Sequence, residues 1–180
     1  MHKYLLIISL SIFTFLFTSC DNNPVSSLKQ AEFLPMAVGN SWTFVESTVE
    51  RKTEVIGNAA INGKDYFVLE RYYPAMLMGH VDYFLLREAA RNKIYINVAG
   101  KEFLYADFTR PLNESWQSYD GYTARIVQKD FSLETPGGTF SHSVEIEFSK
   151  GARKFSAVFA KGVGFVSDRG WQLKSFTWKN

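Results

Sequence analysis

A chain of 180 residues, with 20 Lys and Arg against 18 Asp and Glu, holds about one domain's worth of sequence and a formal net charge of +2, which leaves no basic excess to grip a nucleic acid. Its single cysteine excludes an intramolecular disulfide and a cysteine-built metal site. Aromatic residues make up 16% of the chain, a richness that favours strands.

Met1-His2-Lys3 leads into a 14-residue apolar run, Tyr4 to Phe17, broken only by Ser9, Ser11 and Thr14. A membrane-spanning helix needs about 20 such residues, so this length reads as the core of a secretion signal. The run ends Phe17-Thr18-Ser19-Cys20, which resembles the bacterial lipobox: an apolar residue, two small ones and a cysteine. The resemblance implies removal of residues 1–19 and lipid attachment at Cys20. Several acyl chains would then hold the protein on a membrane, where one chain alone would not. The expected location is the cell envelope, with the outer membrane favoured over the inner. Loss of the leader, which holds Lys3 and no acidic residue, leaves a net charge of +1. Residues 20–32 are polar and read as a lipid-anchored tether that buries too little apolar surface to fold, and residues 33–180 read as a single all-β domain.

Within that domain the turn signals come every 8–15 residues. After Pro35 and the pair Gly39-Asn40, one long strand is expected from Trp42 to Ile56, then a hairpin turn at Asn62-Gly63,. Further strands are expected at Tyr66 to Tyr73, Val81 to Ala89, Ile94 to Val98, Glu102 to Phe108 and Ser115 to Tyr119. Asp120-Gly121 turns the chain into a long hairpin, Tyr122 to Glu134 and Thr139 to Ser149, around Pro136-Gly137-Gly138. Arg153 to Ala160, a kink or bulge at Gly162 and Gly164, and Trp171 to Trp178 complete the chain. That is an antiparallel meander of about ten strands, forming a barrel or a strongly curved sheet. Trp42 is expected to be buried, plugging one end of it.

The segment Pro35-Met36-Ala37-Val38-Gly39-Asn40-Ser41-Trp42 resembles the start of the mature domain in a group of uncharacterised bacterial envelope lipoproteins, where a Pro-Leu-x-Val-Gly-Asn-x-Trp-like motif recurs. The likeness continues at Asn62-Gly63-Lys64-Asp65-Tyr66, Leu104-Tyr105-Ala106-Asp107-Phe108 and Thr135-Pro136-Gly137-Gly138-Thr139-Phe140, and again at Ala160 to Val166. It implies an antiparallel β domain behind a lipid anchor. It implies no activity and transfers no functional residue.

Candidate chemistry is sparse. His80 falls in an expected loop, and His142 on the apolar face of the strand with Phe140, Val144, Ile146 and Phe148, where it reads as a packed core residue. Two separated histidines do not supply the three or four ligands of a metal site, and no cofactor motif is present. Asp107 shares a strand face with Phe103 and Tyr105; it reads as a turn cap, or else as an inward carboxylate with a raised pKa. Glu145 and Glu147 alternate with apolar residues and read as solvent-facing. The chain is therefore read as a non-catalytic module that binds an envelope protein or surface polymer. The alternative is a carrier or sensor of lipid-like apolar ligands, and a hydrolase ranks below both. The carrier reading rests on Tyr66-Phe67-Val68-Leu69 and Tyr83-Phe84-Leu85-Leu86, which lack polar alternation. It places Tyr66, Val68, Tyr83 and Leu85 on a ligand-facing side and Phe67, Leu69, Phe84 and Leu86 on the other.

Overall fold

The protein is described by a computed structural model over residues 33–74, 82–89 and 92–179. The leader, Cys20, the tether and His80 lie outside the described residues. Among the described residues twelve strands form one antiparallel sheet: β1 (Ser41–Glu46), β2 (Val49–Ile61), β3 (Lys64–Tyr72), β4 (Asp82–Ala89), β5 (Lys93–Val98), β6 (Lys101–Asp107), β7 (Ser115–Gln117), β8 (Thr123–Thr135), β9 (Gly138–Lys150), β10 (Arg153–Ala160), β11 (Gly164–Asp168) and β12 (Trp171–Thr177). A 3-10 turn at Tyr119–Gly121 precedes β8, and the described residues contain no α-helix.

The strand order is β6-β5-β4-β3-β2-β1-β12-β11-β10-β9-β8-β7. Consecutive strands other than β6 and β7 pair as hairpins, and β1 pairs with β12 from Ser41↔Thr177 to Val45↔Gln172. The two outermost strands, β6 and β7, are therefore neighbours in sequence. They approach without a ladder: Trp116 Nε1 of β7 donates to the Leu104 carbonyl of β6 at 3.2 Å, and beside them Lys129 Nζ of β8 donates to the Phe108 carbonyl just past β6 at 3.2 Å. The sheet thus curls into a nearly closed barrel, which leaves little open edge to recruit another chain.

Two differences from the ten expected strands have local causes. The long strand from Trp42 breaks into β1 and β2 at Ser47-Thr48, with Ser47 at φ +56°. Neither residue is a turn former of the Asn-Gly kind. The stretch after Gly164 continues as β11 and returns through Arg169-Gly170, both at positive φ. That is the geometry of a two-residue type I′ hairpin, with Arg where Asn or Gly is usual.

Burial alternates along most strands, and the inward residues build one core around Trp42, Phe44, Leu69, Leu86, Ile126, Ile146, Phe148, Phe159 and Leu173. Trp42 is fully buried, as expected. Its indole stands edge-on to Phe165 and Trp178, and its Nε1 donates to the Val163 carbonyl at 2.7 Å. Gly164 makes this contact feasible. It holds φ +94°, and a Cβ there would lie 2.8 Å from Leu34 and 3.1 Å from the indole nitrogen.

The β8–β9 hairpin outruns β10 and bends. Asp130 (φ +55°) and His142 (φ +53°) are bulge residues facing each other across this ladder. The bend carries the tip to β12, where Gly137 N donates to the Leu173 carbonyl at 2.9 Å. The double bulge corrects the expectation for His142. The extra residues turn it out of the apolar face, leaving its side chain 75% exposed with Nδ1 2.6 Å from Asp130 Oδ1.

Candidate functional site

A half-enclosed cavity of about 250 Å³ opens into the barrel between the start of β4 and the β11–β12 turn. Leu86, Ile96, Tyr105 and Phe165 supply its apolar and aromatic wall; Arg71, Asp168, Arg169 and Asp82 supply its charge.

The charged groups form a cluster. Asp168, at the end of β11, is 3% exposed. Its Oδ2 accepts from Arg51 Nη2 of β2 at 2.9 Å and from Arg71 Nη2 of β3 at 3.2 Å. Arg169 Nε lies 3.9 Å from Oδ1. One carboxylate therefore serves three guanidiniums. Arg51 is as buried as Asp168, and its guanidinium carbon lies 4.9 Å from both the Phe44 and Trp171 ring centroids. Burial lowers its pKa, with the Asp168 charge opposing that shift. Nε of Arg51 and Nε of Arg71 are buried without a hydrogen-bond partner. Such donors normally cost free energy unless satisfied.

Arg169 links this cluster to an aromatic column. Its guanidinium sits 4.1 Å from the Phe155 centroid. Phe155 stacks on Phe148 at 4.8 Å, and Phe148 on Tyr105 at 5.1 Å. Nη2 of Arg169 donates to the Tyr119 hydroxyl at 2.9 Å. Burial, with the Asp168 charge added to it, pushes the Tyr105 hydroxyl well above its ordinary range. Burial also raises Tyr119, against the pull of Arg169. Both hydroxyls are therefore neutral hydrogen-bonding groups near pH 7.

The four residues proposed from sequence as ligand-facing do not meet in this cavity. Cross-strand pairing puts Phe67 opposite Leu86 and Leu69 opposite Phe84, with Val68 opposite Leu85 and Glu70 opposite Tyr83. Leu86 and Phe84, from the other set, line the cavity. Tyr83 is 63% exposed at its mouth, with its hydroxyl donating to Glu70. Val68 and Leu85 are half-buried. Tyr66 is buried outside the contiguous core, and its hydroxyl bonds Glu102.

Sequence reasoning missed Arg51, Arg71, Asp168 and Arg169. The available signal was a charged residue in phase with inward apolar neighbours. Arg51 shares a strand face with Val55, Arg71 with Phe67 and Leu69, and Asp168 with Val166.

Asp107 is both an inward group and a turn cap. It is 2% exposed, and its Oδ1 accepts from Thr109 N at 3.1 Å and Thr109 Oγ1 at 2.6 Å. Burial alone would raise its pKa, but the Thr109 hydrogen bonds and the Lys93 charge outweigh that, so the net shift is downward. A depressed folded-state pKa stabilises the fold above the unfolded value near 4 and loses that contribution as pH falls through the lower folded value. Asp107→Asn is accordingly expected to cost on the order of 1–2 kcal/mol at pH 7. In chemical denaturation series, its deficit against wild type should shrink steadily below about pH 4; a deficit independent of pH would contradict this account. Glu147 pairs with Arg125 at 2.9 Å and Lys154 at 3.5 Å on the outer face, and the described residues hold no cluster of metal-ligating groups.

No family model matches the chain, and no curated protein matches it in sequence. Among solved structures it is similar to a protein of Bacteroides fragilis NCTC 9343 described as a "putative exported protein with YmcC-like fold". That match has a TM-score of 0.50 and 12% identity, covering 82% of this chain and 99% of the other. A protein of Parabacteroides distasonis ATCC 8503 described as a "putative lipoprotein" aligns at a TM-score of 0.42 and 13% identity, over 81% of this chain and 98% of the other. At such identities what the chain shares with the first of these is its fold: an all-β meander of the YmcC-like kind.

Proposed function

We propose that this chain is a lipid-anchored protein of the bacterial cell envelope whose barrel is a non-catalytic binding module, and that its ligand is a small molecule seated in the cavity between β4 and the β11–β12 turn. The anchor reading rests on the apolar leader and Cys20. The binding reading rests on one observation: a 250 Å³ cavity that joins an aromatic wall to a buried charge cluster. Binding sites for small ligands combine an apolar lining with a few placed polar groups in this way. Arginines and tyrosines whose hydroxyls burial pushes upward are suited to holding a ligand. They are poorly suited to proton transfer near neutral pH.

A partner protein or surface polymer is the other occupant considered. Exposed large apolar residues such as Val38, Ile56, Leu112 and Phe176 lie on separate elements, whereas the cavity gathers its groups in one place. Native mass spectrometry of the protein isolated from its own host tests the choice. A bound mass of a few hundred daltons or less, lost on denaturation, is expected; a stoichiometric protein partner with an empty barrel would overturn the small-ligand reading. The same preparation tests the anchor. Cys20→Ser should abolish lipid mass and membrane partitioning, and a cleaved variant that still partitions fully would refute it.

A further inference from the structure

We infer that the cavity is built for an oxyanion-bearing amphiphile, a carboxylate or phosphate on a short apolar body, about ten non-hydrogen atoms in all, with the oxyanion held by Arg71, Arg169 and the Tyr105 hydroxyl. This deepens the proposed binding function and rests on it.

The first support is a surplus of donors. Each guanidinium carries five N–H donors. Among the described residues Arg71 makes one hydrogen bond, to Asp168, and Arg169 makes one, to Tyr119. Arg71 Nε is buried and unpartnered. The second support is charge. Three guanidiniums, Arg51, Arg71 and Arg169, converge on the single carboxylate of Asp168. With Asp82 counted at the rim, the described charges of the cluster still sum to +1. A monoanion neutralises it.

The third support is Tyr105. It is 7% exposed and lines the cavity, yet its hydroxyl bonds no described residue, although its ring is held by Phe148, Phe159 and Phe165. A hydroxyl at a cavity wall that bonds no described residue has its donor free for an acceptor entering the cavity. The fourth is the placement of Arg169. It occupies the first position of a type I′ turn at φ +54°, where Asn or Gly would be free of strain. Strained backbone at a ligand-facing residue is where function offsets its cost.

The size follows from the volume. About 250 Å³ equals roughly eight waters at about 30 Å³ each, which is close to a medium-chain acid or a small aromatic acid. Leu86, Ile96 and Phe165 would cover its apolar body. Arginine forks are matched to planar carboxylates and to phosphates, so both headgroups enter the test.

The whole chain from Cys20 onward, made without acylation, is titrated calorimetrically with octanoate, octyl phosphate and 1-octanol. At least one of the two anions should bind about tenfold or more tightly than the alcohol, the worth of one charge-assisted hydrogen bond. The tighter of the two anions identifies the headgroup. Arg169→Met and Tyr105→Phe should each remove most of that preference while leaving the melting temperature near wild type. Arg169 is half-exposed and Tyr105→Phe keeps the ring, so neither change empties the core. Equal affinity for acid and alcohol would overturn the oxyanion inference and leave the binding cavity standing. Binding of none of the three would overturn both. An anion preference untouched by either variant would place the anion elsewhere and also overturn the inference.

Discussion

Asp168→Ala is expected to cost about 3–5 kcal/mol, close to the whole stability of a marginal domain. The reason is asymmetric. Arg51 is 2% exposed and held between Phe44 and Trp171, so it cannot swing to water when its counter-ion goes. Arg71 loses the same partner. The substitution thus leaves buried positive charge with nothing opposite it, and that penalty exceeds the worth of the pair itself. The companion experiment separates these quantities. Replacing the cluster as a whole, with Asp168→Leu, Arg51→Met and Arg71→Met, removes both signs together and should recover most of the lost stability. Thermal and urea melts of the single and triple variants decide the matter. A triple variant as unstable as the single would mean that the cluster holds the fold through its hydrogen bonds, with charge a minor matter.

The second large effect is expected at Trp42. Its truncation to Ala opens a cavity in the core and should cost about 3–5 kcal/mol. It also orphans the Val163 carbonyl, which accepts from the indole at 2.7 Å. Trp42→Phe should cost less, because most of the ring contact with Phe165 and Trp178 survives. Urea denaturation gives both values. A wild-type-like midpoint for the Ala variant would contradict the burial of this residue.

What could be read from the sequence depended on whether a residue announces its own geometry. Asn62-Gly63 announces a hairpin, and both residues take positive φ. Trp42 announces burial through its size and its neighbours. Ser47 announces nothing, because its left-handed conformation is imposed by the pairing of Glu46 with Val49. His142 is similar: its strand alone shows clean alternation, and its bulge exists only in the pairing with β8. The charge cluster was hidden for a related reason. Arg51 and Asp168 are separated by 117 positions, and no local pattern links them. In a half-buried strand a single charged residue on the apolar face looks like a slip in the alternation until the partner strand supplies its counter-ion.

The position of the chain ends within the sheet sets an order of events during synthesis. Ten of the eleven ladders join strands that follow one another, so β1–β6 and β7–β12 can each zip up from local hairpins as they emerge,. The eleventh joins Ser41 to Thr177, a loop whose closure costs on the order of 4 kcal/mol in chain entropy. Since β1 is made first and β12 last, one side of β1 stays an unpaired, aggregation-prone template until translation has reached the C-terminal strand. A ribosome that stalls between β8 and β12 would release two hairpin stacks and no barrel.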